Sequence, residues 1–319
     1  MQIRIGYVSI ALNVPGVTTS SSVTYANYCK LSTLERKHDK LKKATLSNLN
    51  ALNTILEYNI KKDIHFYRIT SALIPLATHP DILWNYRSIF KKDFEAIGRI
   101  LFASGIRADT HPDQFNVINS IRPEVVISTI DNLWFHAHLF EDMQYPHGKM
   151  VIHVGSSVGG KAESLERFRV NFLKIPVQIS EKIILENDDK TFTASEVLKL
   201  CKELSMPMVL DVHHHVCNNE GEKIEELIKD IFSTWKGEYY PPKIHFSSPK
   251  NGEKDRSHSD YINAKDFIKF VDNISFVDQD FDVMLEAKMK DLALYKLVED
   301  IKELKPEWHF KDSSTLIVL

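Results

Sequence analysis

The amino-acid sequence predicts a (β/α)8 TIM barrel that forms a single domain over residues 1–319. Short apolar runs rich in β-branched residues recur eight times along the chain, and stretches with helical periodicity separate them. Eight strands that alternate with helices over about 300 residues are typical of this barrel. An open doubly wound sheet is the alternative, but no GxGxxG pattern follows the first strand.

The predicted elements follow one another without a Pro/Ser/Gly-rich linker. Residues 10–38 form a long polar insertion after the first strand, and loops of that length are usually functional or mobile. Thr193 and Glu196 have the spacing of a capping box at a helix start, and Asn263 is a predicted helix N-cap. The eight predicted strands span residues 3–9, 64–70, 106–112, 150–156, 182–188, 208–214, 243–248 and 282–288.

Composition excludes several classes of protein. The chain is 43% hydrophobic and 26% charged, as in an ordinary soluble enzyme. It has no run of about 18 apolar residues and no signal-peptide pattern at the N-terminus. Cys29, Cys201 and Cys217 are too few and too scattered for a disulfide framework or a cysteine zinc site. We therefore expect a reduced, cytoplasmic protein with no membrane partner.

The formal net charge of −3 argues only weakly against a nucleic-acid partner. Proteins that bind nucleic acids usually carry a basic surface. Metal-binding carboxylates lower the formal charge of a chain, however, and bound cations restore it. Net charge therefore decides nothing about the partner of this protein.

Charged and imidazole side chains concentrate at one end of the predicted strands. Active-site residues of a (β/α)8 barrel come from the C-terminal ends of its strands. A single histidine at such a position is more often a hydrogen-bonded residue than a ligand, but here the cost of burial would have to be offset at six places together. The residues at the ends of strands three to eight are Asp109 and His111, His153, Glu186, Asp211 with His213–His215, Lys243 and His245, and Glu286.

These side chains predict a metal cluster. Nitrogen and carboxylate ligands without cysteine indicate a borderline-to-hard divalent ion such as zinc, manganese or iron. The strand-end histidines and acids, with one of His213–His215, exceed what a single ion needs, so two or three ions are predicted. Clusters of this kind activate water and bind the oxygens of a phosphoryl group during its displacement.

Six motifs, taken in their order and spacing, resemble the UV damage endonuclease family of DNA repair enzymes. The match runs from GY at 6–7 to the last motif, which is nearly the whole chain. The resemblance implies a (β/α)8 barrel enzyme that cleaves the phosphodiester bond immediately 5′ to a UV photoproduct in double-stranded DNA. Cyclobutane pyrimidine dimers and 6-4 photoproducts are the typical substrates. The motifs are HPDQF (111–115), IHVG (152–155), LENDD (185–189), DVHHH (211–215), KIHFSS (243–248) and LEAK (285–288).

The resemblance also implies a ligand set for three divalent ions, usually manganese, with zinc or magnesium as alternatives. It selects His214 from the three consecutive histidines, which requires the sixth strand to end near Val212 and the chain to turn there. His213 and His215 would then be loop residues that orient the ligands. The implied ligands are His111, His153, Glu186, Asp211, His214, His245, His258 and Glu286.

The expected catalytic residues are Lys243, Glu186 and Glu286. Glu186 is the candidate bridging ligand. A lysine among bound cations is electrostatically unusual unless its amine is neutral or modified. Lys243 is therefore expected to be carboxylated, or to contact the scissile phosphate; the structural alternative is an ion pair with Glu286 or another acid.

The resemblance further implies residues that contact DNA. Gln114 and Phe115 stand where the family has a glutamine–tyrosine pair that probes the duplex beside the lesion. Phe115 keeps the apolar plane but lacks the hydroxyl, and the sequence alone would place it in the core. Tyr7 and Asn13 match positions that line the site. The loop bases expected to bind the DNA backbone are Lys161, Lys250, Lys254 and Arg256.

Three other functions are consistent with parts of this pattern. An AP endonuclease of the endonuclease IV type would share the barrel and a trinuclear metal site. A metal-dependent sugar isomerase on the same barrel needs fewer ligands. A non-catalytic damage-binding protein is disfavoured because every expected ligand position is filled. The sequence indicates no obligate protein partner.

Overall fold

The computed structural model describes residues 1–318, and its central feature is a closed barrel of eight parallel strands. Each strand pairs with the next along the chain, and β1 pairs with both β2 and β8, which closes the barrel. The predicted (β/α)8 barrel is therefore confirmed. Its strands are β1 Gln2–Val8, β2 Phe66–Ile69, β3 Arg107–Thr110, β4 Met150–His153, β5 Ile183–Glu186, β6 Met208–Asp211, β7 Lys243–Phe246 and β8 Phe281–Leu285.

Helices connect the strands, and their predicted caps are present. Thr193 and Glu196 form a reciprocal capping box at one helix start, and the Asn263 side chain accepts a hydrogen bond from the Lys265 amide at another. None of the described helices is long and apolar enough to span a bilayer. The helices are α1 Tyr25–Cys29, α2 Leu34–Lys61, α3 Tyr86–Ile89, α4 Lys91–Ser104, α5 Pro123–Asp142, α6 Lys161–Phe172, α7 Val177–Ser180, α8 Ala194–Leu204, α9 Val212–Cys217, α10 Ile224–Ser233, α11 Ala264–Ile274 and α12 Lys290–Leu304.

The sixth strand ends earlier than the apolar run that predicted it. β6 ends at Asp211, and the next residue begins the short helix α9. The Asp211 side chain caps this helix by accepting a hydrogen bond from the His214 amide at 2.7 Å. The chain therefore turns where the family resemblance required it to turn.

The insertion after β1 is packed against the barrel. It contains α1 and the start of α2. The buried Asn48 side chain accepts a hydrogen bond from the Ser21 amide at 2.7 Å and donates to the carbonyls of Ser21 and Leu73 at 3.0 and 2.9 Å. These bonds fix the insertion to α2 and to the segment that follows β2.

Two short strands near the C-terminus were not predicted. They are β9 His309–Phe310 and β10 Thr315–Ile317, and β10 runs antiparallel to the first half of β1. β2 pairs only with Tyr7 and Val8 in the last part of β1, so β10 occupies the edge that β2 leaves free. The predicted single domain also includes residue 319, which lies outside the described residues.

Candidate metal centre

Glu186, the last residue of β5, lies at the centre of the candidate site and is 1% exposed. Its Oε2 is 3.0 Å from His111 Nε2 and 3.7 Å from His153 Nε2. Its Oε1 is 2.7 Å from His245 Nδ1 and 3.6 Å from His214 Nδ1. One buried carboxylate therefore contacts or approaches four imidazoles that come from four different strand ends.

Three groups of side chains in the described part of the chain are close enough to hold a metal ion, with ligand atoms within 4.8 Å of one another in each group. Glu186 belongs to all three, which is the arrangement a bridging ligand needs. The groups bring together every predicted ligand except His258. They are His111–His153–Glu186, Glu186–Asp211–His214 and Glu186–His245–Glu286.

His258 lies beside this cluster, on the loop that follows β7. Its Nδ1 is 3.7 Å from Glu286 Oε2, and an isolated β-bridge with Pro249 holds its backbone. Its predicted role as a ligand stays a prediction.

The donor atoms of these residues fit a divalent cation. His111 Nδ1 donates to the Pro112 carbonyl at 2.9 Å, so in the neutral ring the lone pair is on Nε2, which lies 3.0 Å from Glu186 Oε2. Two acceptor atoms this close repel each other unless a proton or a cation lies between them. The buried Asp211 Oδ2 has no hydrogen-bond partner among the described residues, and an ion would satisfy it.

The three consecutive histidines separate into two kinds. His214 Nδ1 donates to the Asn187 carbonyl at 2.9 Å, which orients the ring. The same nitrogen lies 3.6 Å from Glu186 Oε1 and 3.8 Å from Asp211 Oδ2. His213 Nε2 pairs with the Asp255 carbonyl at 2.9 Å, and His215 Nε2 pairs with the Glu222 carbonyl at 3.1 Å. The flanking histidines therefore bind the surrounding loops, and His214 is the one placed with Glu186 and Asp211.

The surroundings of Asp211 and His214 favour the protonated form of both side chains. Burial raises the pKa of Asp211 to about 8. Burial disfavours the imidazolium of His214, but the neighbouring Asp211 and Glu186 carboxylates outweigh it and raise the pKa of His214 to about 9. An ion that binds this group near neutral pH therefore displaces a proton.

Arg68, the third residue of β2, is a member of the site that sequence reasoning missed. Its Nη1 donates to Glu286 Oε1 at 2.6 Å and its Nη2 donates to His245 Nε2 at 2.7 Å. Burial favours the neutral form of Glu286, but Arg68 and His245 hold its pKa well below the ordinary value. Nothing in the sequence signalled Arg68, because the predicted strand at 64–70 also contains the polar residues His65 and Thr70.

Lys243 lies one inward-facing position before His245 on β7 and is 1% exposed. Its Nζ donates to Asp109 Oδ2 at 2.7 Å, so its acidic partner is Asp109 and not Glu286. Burial lowers the pKa of Lys243 to about 8, against the opposing effect of Asp109. Arg107, which is also buried, lies 3.3 Å from Asp109 and 2.8 Å from Asp282.

The residues expected to contact DNA differ in exposure. Phe115 is 76% exposed on the loop after β3, and Gln114 beside it is also exposed. Asn13 is exposed too, and its amide donates to Asp291. Tyr7 is fully buried, and its hydroxyl donates to Asn59 Oδ1 at 2.7 Å. Tyr7 is thus packed in the core, and its expected contact with DNA stays a prediction.

The four loop bases also differ. Lys161 Nζ is 2.9 Å from Glu196 Oε2, so this amine has an acidic partner. Arg256 Nε lies 3.5 Å from Asp189. Lys250 and Lys254 are exposed on the loop between β7 and α11.

A family model described as UV-endonuclease UvdE matches residues 3–311. The chain belongs to the UV-endonuclease family. The UV DNA damage endonuclease of Bacillus mycoides (strain KBAB4) is 37% identical over 306 residues, which cover 96% of each chain. The crystal structure of SacUVDE is 37% identical, superposes with a TM-score of 0.85, and the match covers 95% of this chain and 99% of that one. This UV-endonuclease family member is accordingly a hydrolase that acts on DNA.

Other barrels share the fold of the UV-endonuclease family. Endonuclease IV from Thermus thermophilus superposes with a TM-score of 0.55 at 15% identity, and the match covers 79% of this chain and 94% of that one. At this identity the likeness concerns the fold alone.

Proposed function

We propose that this protein is a metal-dependent repair endonuclease that nicks double-stranded DNA immediately 5′ to UV photoproducts. Cyclobutane pyrimidine dimers and 6-4 photoproducts are the proposed substrates. The observation that carries the proposal is the set of three ligand groups around Glu186, at the barrel mouth of a chain that belongs to the UV-endonuclease family.

Three divalent ions, with manganese first among them, fit the three groups of nitrogen and carboxylate donors. When bound, they would lower the pKa of a water molecule and polarise the oxygens of the scissile phosphate. Glu186 connects the three groups, and Glu286 and His245 complete the third. His111 and His214 are held in position by the backbone carbonyls that accept from their Nδ1 atoms.

Lys243 is a further proposed catalytic residue, and it lies two residues before His245 on β7. Its buried amine has a lowered pKa of about 8, which increases the neutral fraction that carboxylation of a lysine requires. A carboxylated Lys243 would supply an additional anion to the ions, and an unmodified Lys243 would supply a cation near the phosphate. Asp109 holds the amine in place in either case.

Recognition of the lesion would occur at the loops around the mouth. A damaged nucleotide within a duplex cannot reach a barrel interior, so it must be extruded at a cost of about a few kcal/mol. That cost is lower where a photoproduct already weakens stacking and pairing. In this proposal Phe115 and Gln114 occupy the duplex next to the extruded lesion, and their exposure supports that role.

Nicking of three matched duplexes tests the proposal. One carries a single cyclobutane dimer, one carries an abasic site and one is undamaged, and each is incubated with chelated protein before and after addition of manganese. We expect repeated turnover on the dimer duplex only after metal addition. Glu186→Gln should abolish nicking and reduce the bound metal, whereas Glu299→Gln, an exposed change on α12, should leave both unchanged.

The alternative functions give different results in the same assay. Cutting at the abasic site without cutting at the dimer would indicate an AP endonuclease. Binding of the dimer duplex with no turnover in the presence of metal would indicate a damage-binding protein. Cutting of the dimer duplex by fully chelated protein would contradict the metal dependence.

A further inference from the structure

We propose that the loop between β4 and α6 is a second lesion probe, and that Val158 on this loop and Ile121 act with Phe115 against the unstacked bases. This inference rests on the proposed function, because it concerns how the same mouth engages damaged DNA. It adds residues that carry no metal and no charge.

Three large apolar side chains are exposed on two neighbouring loops at the mouth. Phe115 is 76%, Ile121 is 59% and Val158 is 54% exposed. The first two lie on the loop between β3 and α5, and the third lies on the loop between β4 and α6. We call these three side chains the mouth patch. Exposed apolar side chains on adjoining loops beside a candidate site are a reason to look for an interaction there.

A buried asparagine joins the two loops. Asn119 is fully buried, its Nδ2 donates to the Ser156 carbonyl at 2.7 Å, and its Oδ1 accepts from the Ser156 amide at 2.9 Å. Gly155 has a φ of +108°, and a Cβ atom at this position would lie 2.6 Å from Asn119 Oδ1. The close approach of the two backbones therefore depends on Asn119 and on a glycine at 155.

Helix α6 anchors both loops through their backbones. Arg167 donates from Nε to the Asn119 carbonyl at 3.0 Å and from Nη2 to the Val158 carbonyl. Asn171 donates to the Ile118 carbonyl at 2.8 Å. Ile121 and Val158 each follow the joined residues by two positions, so these bonds hold the two backbones together close to both side chains. These hydrogen bonds hold the two loops together as one rigid unit.

The position and chemistry of the mouth patch indicate nucleic-acid bases as its partner. Its two loops begin directly after His111 and His153, which belong to one ligand group around Glu186. The two loops that carry the mouth patch therefore start beside the ligand group at which we propose the scissile phosphate binds. Apolar side chains contact base planes and wedge between base steps, and they do not bind phosphates. The contribution of the mouth patch to DNA affinity should accordingly be independent of salt concentration.

Binding and fluorescence measurements with a slowly cleaved dimer duplex test this inference. The duplex carries phosphorothioate linkages around the dimer and 2-aminopurine beside it, and the protein is used with manganese. We expect Val158→Ser and Ile121→Ser each to weaken binding by about fivefold and to reduce the rise in 2-aminopurine fluorescence. The slope of affinity against salt concentration should stay as in the wild type. Phe102→Ser is the control, since Phe102 is 83% exposed on the outer helix α4.

The hydrogen bonds between Asn119 and Ser156, which join the two loops, lead to a separate prediction. When Asn119 is intact, the losses of DNA affinity caused by Phe115→Ser and Val158→Ser should be coupled. The double variant should lose about threefold less affinity than the product of the two single losses. With Asn119→Ala the two effects should multiply. Wild-type affinity and fluorescence in both Val158→Ser and Ile121→Ser would overturn the inference, as would a change confined to self-association. Failure of the wild type to distinguish dimer from undamaged duplex would instead reject the proposed function.

Discussion

Glu186 is the single residue on which the candidate site depends most, because all three ligand groups share its carboxylate. The surrounding imidazoles His245 and His153 offset the cost of its burial and hold its pKa well below the ordinary value. The carboxylate is therefore ionised in the interior of the barrel. A buried anion with free acceptor positions is what a bridging metal ligand requires.

Arg68 would compete with a bound metal ion for two of the proposed ligands. Its guanidinium occupies Glu286 Oε1 and His245 Nε2, and it carries a positive charge next to the third ligand group. Arg68→Met should therefore lower the melting temperature of chelated protein, because two buried ligands lose their cationic partner. It should also increase the rise in melting temperature that manganese produces. Calorimetry with and without metal measures both quantities.

The conservative variant separates charge from packing in this experiment. Arg68→Lys keeps the positive charge and should show an intermediate rise on metal addition. A metal-dependent rise in Arg68→Met equal to that of the wild type would contradict the competition.

Metal binding should depend on pH in a defined direction. Asp211 and His214 have pKa values raised to about 8 and about 9, so the metal-free pair holds one dissociable proton below pH 9 and a second below pH 8. An ion that displaces these protons binds more weakly as the pH falls. We expect the affinity of the Asp211–His214 group to decrease by about tenfold per pH unit between pH 8 and pH 6 for each proton displaced. Calorimetric titration in two buffers of different ionisation enthalpy measures the proton release, and an affinity independent of pH would exclude it.

At the scale of elements, the ends of the strands decide which side chains meet. The apolar runs predicted every barrel strand, but they could not show where a strand stops, because buried loop residues are apolar as well. Strict alternation along residues 208–214 would have grouped Asp211 with His213 and His215. The turn into α9 after Asp211 places His214 there instead, and a helix cap inside an apolar run leaves no periodic signal.

Contacts between residues that lie far apart along the chain could not be predicted from the sequence either. Arg68 and Glu286 are separated by 218 positions, and nothing local to β2 distinguishes Arg68 from a surface residue. The exposure of Phe115 could not be predicted from its residue type, and neither could the burial of Tyr7. The order of the motifs predicted which residues meet around Glu186, because it reflects the family fold. Local periodicity carries no information about the distances between strands.

Below the metal groups, β3, β7 and β8 hold a buried charge network that supports Lys243. Asp109 accepts from Lys243 at 2.7 Å and lies 3.3 Å from Arg107. Asp109→Asn removes the anion between two buried cations, so we expect it to lower the free energy of unfolding by about 3–5 kcal/mol. Denaturant titration measures this loss.

The exposed pair of Lys202 and Asp230 provides the control for that measurement. Its atoms are also 2.7 Å apart, but the side chains are 47% and 58% exposed. Lys202→Ala should change the unfolding free energy by less than about 1 kcal/mol. Equal losses in Asp109→Asn and Lys202→Ala would show that the buried network does not stabilise the barrel.

At the scale of the whole molecule, β10 completes the first part of the barrel sheet. Leu316 is fully buried and pairs with Ile3, so a strand at one end of the chain covers the strand at the other end. Leu316→Ala should reduce the free energy of unfolding by about 2–5 kcal/mol, because it leaves a cavity in the core. Leu83→Ala, at a side chain that is 93% exposed, should have an effect within about 0.5 kcal/mol. Similar unfolding curves for the two variants would remove β10 from the stabilising sheet.

The barrel places all candidate ligands at one mouth, and the position of the nick reports most directly on whether they act together on a lesion. The measurement uses an end-labelled duplex with one cyclobutane dimer, manganese-loaded protein, and product lengths resolved to a single nucleotide. We expect one product that ends immediately 5′ to the dimer in the wild type and none in Glu186→Gln. A nick at any other linkage, or the same nick in Glu186→Gln, would contradict a metal centre built around Glu186.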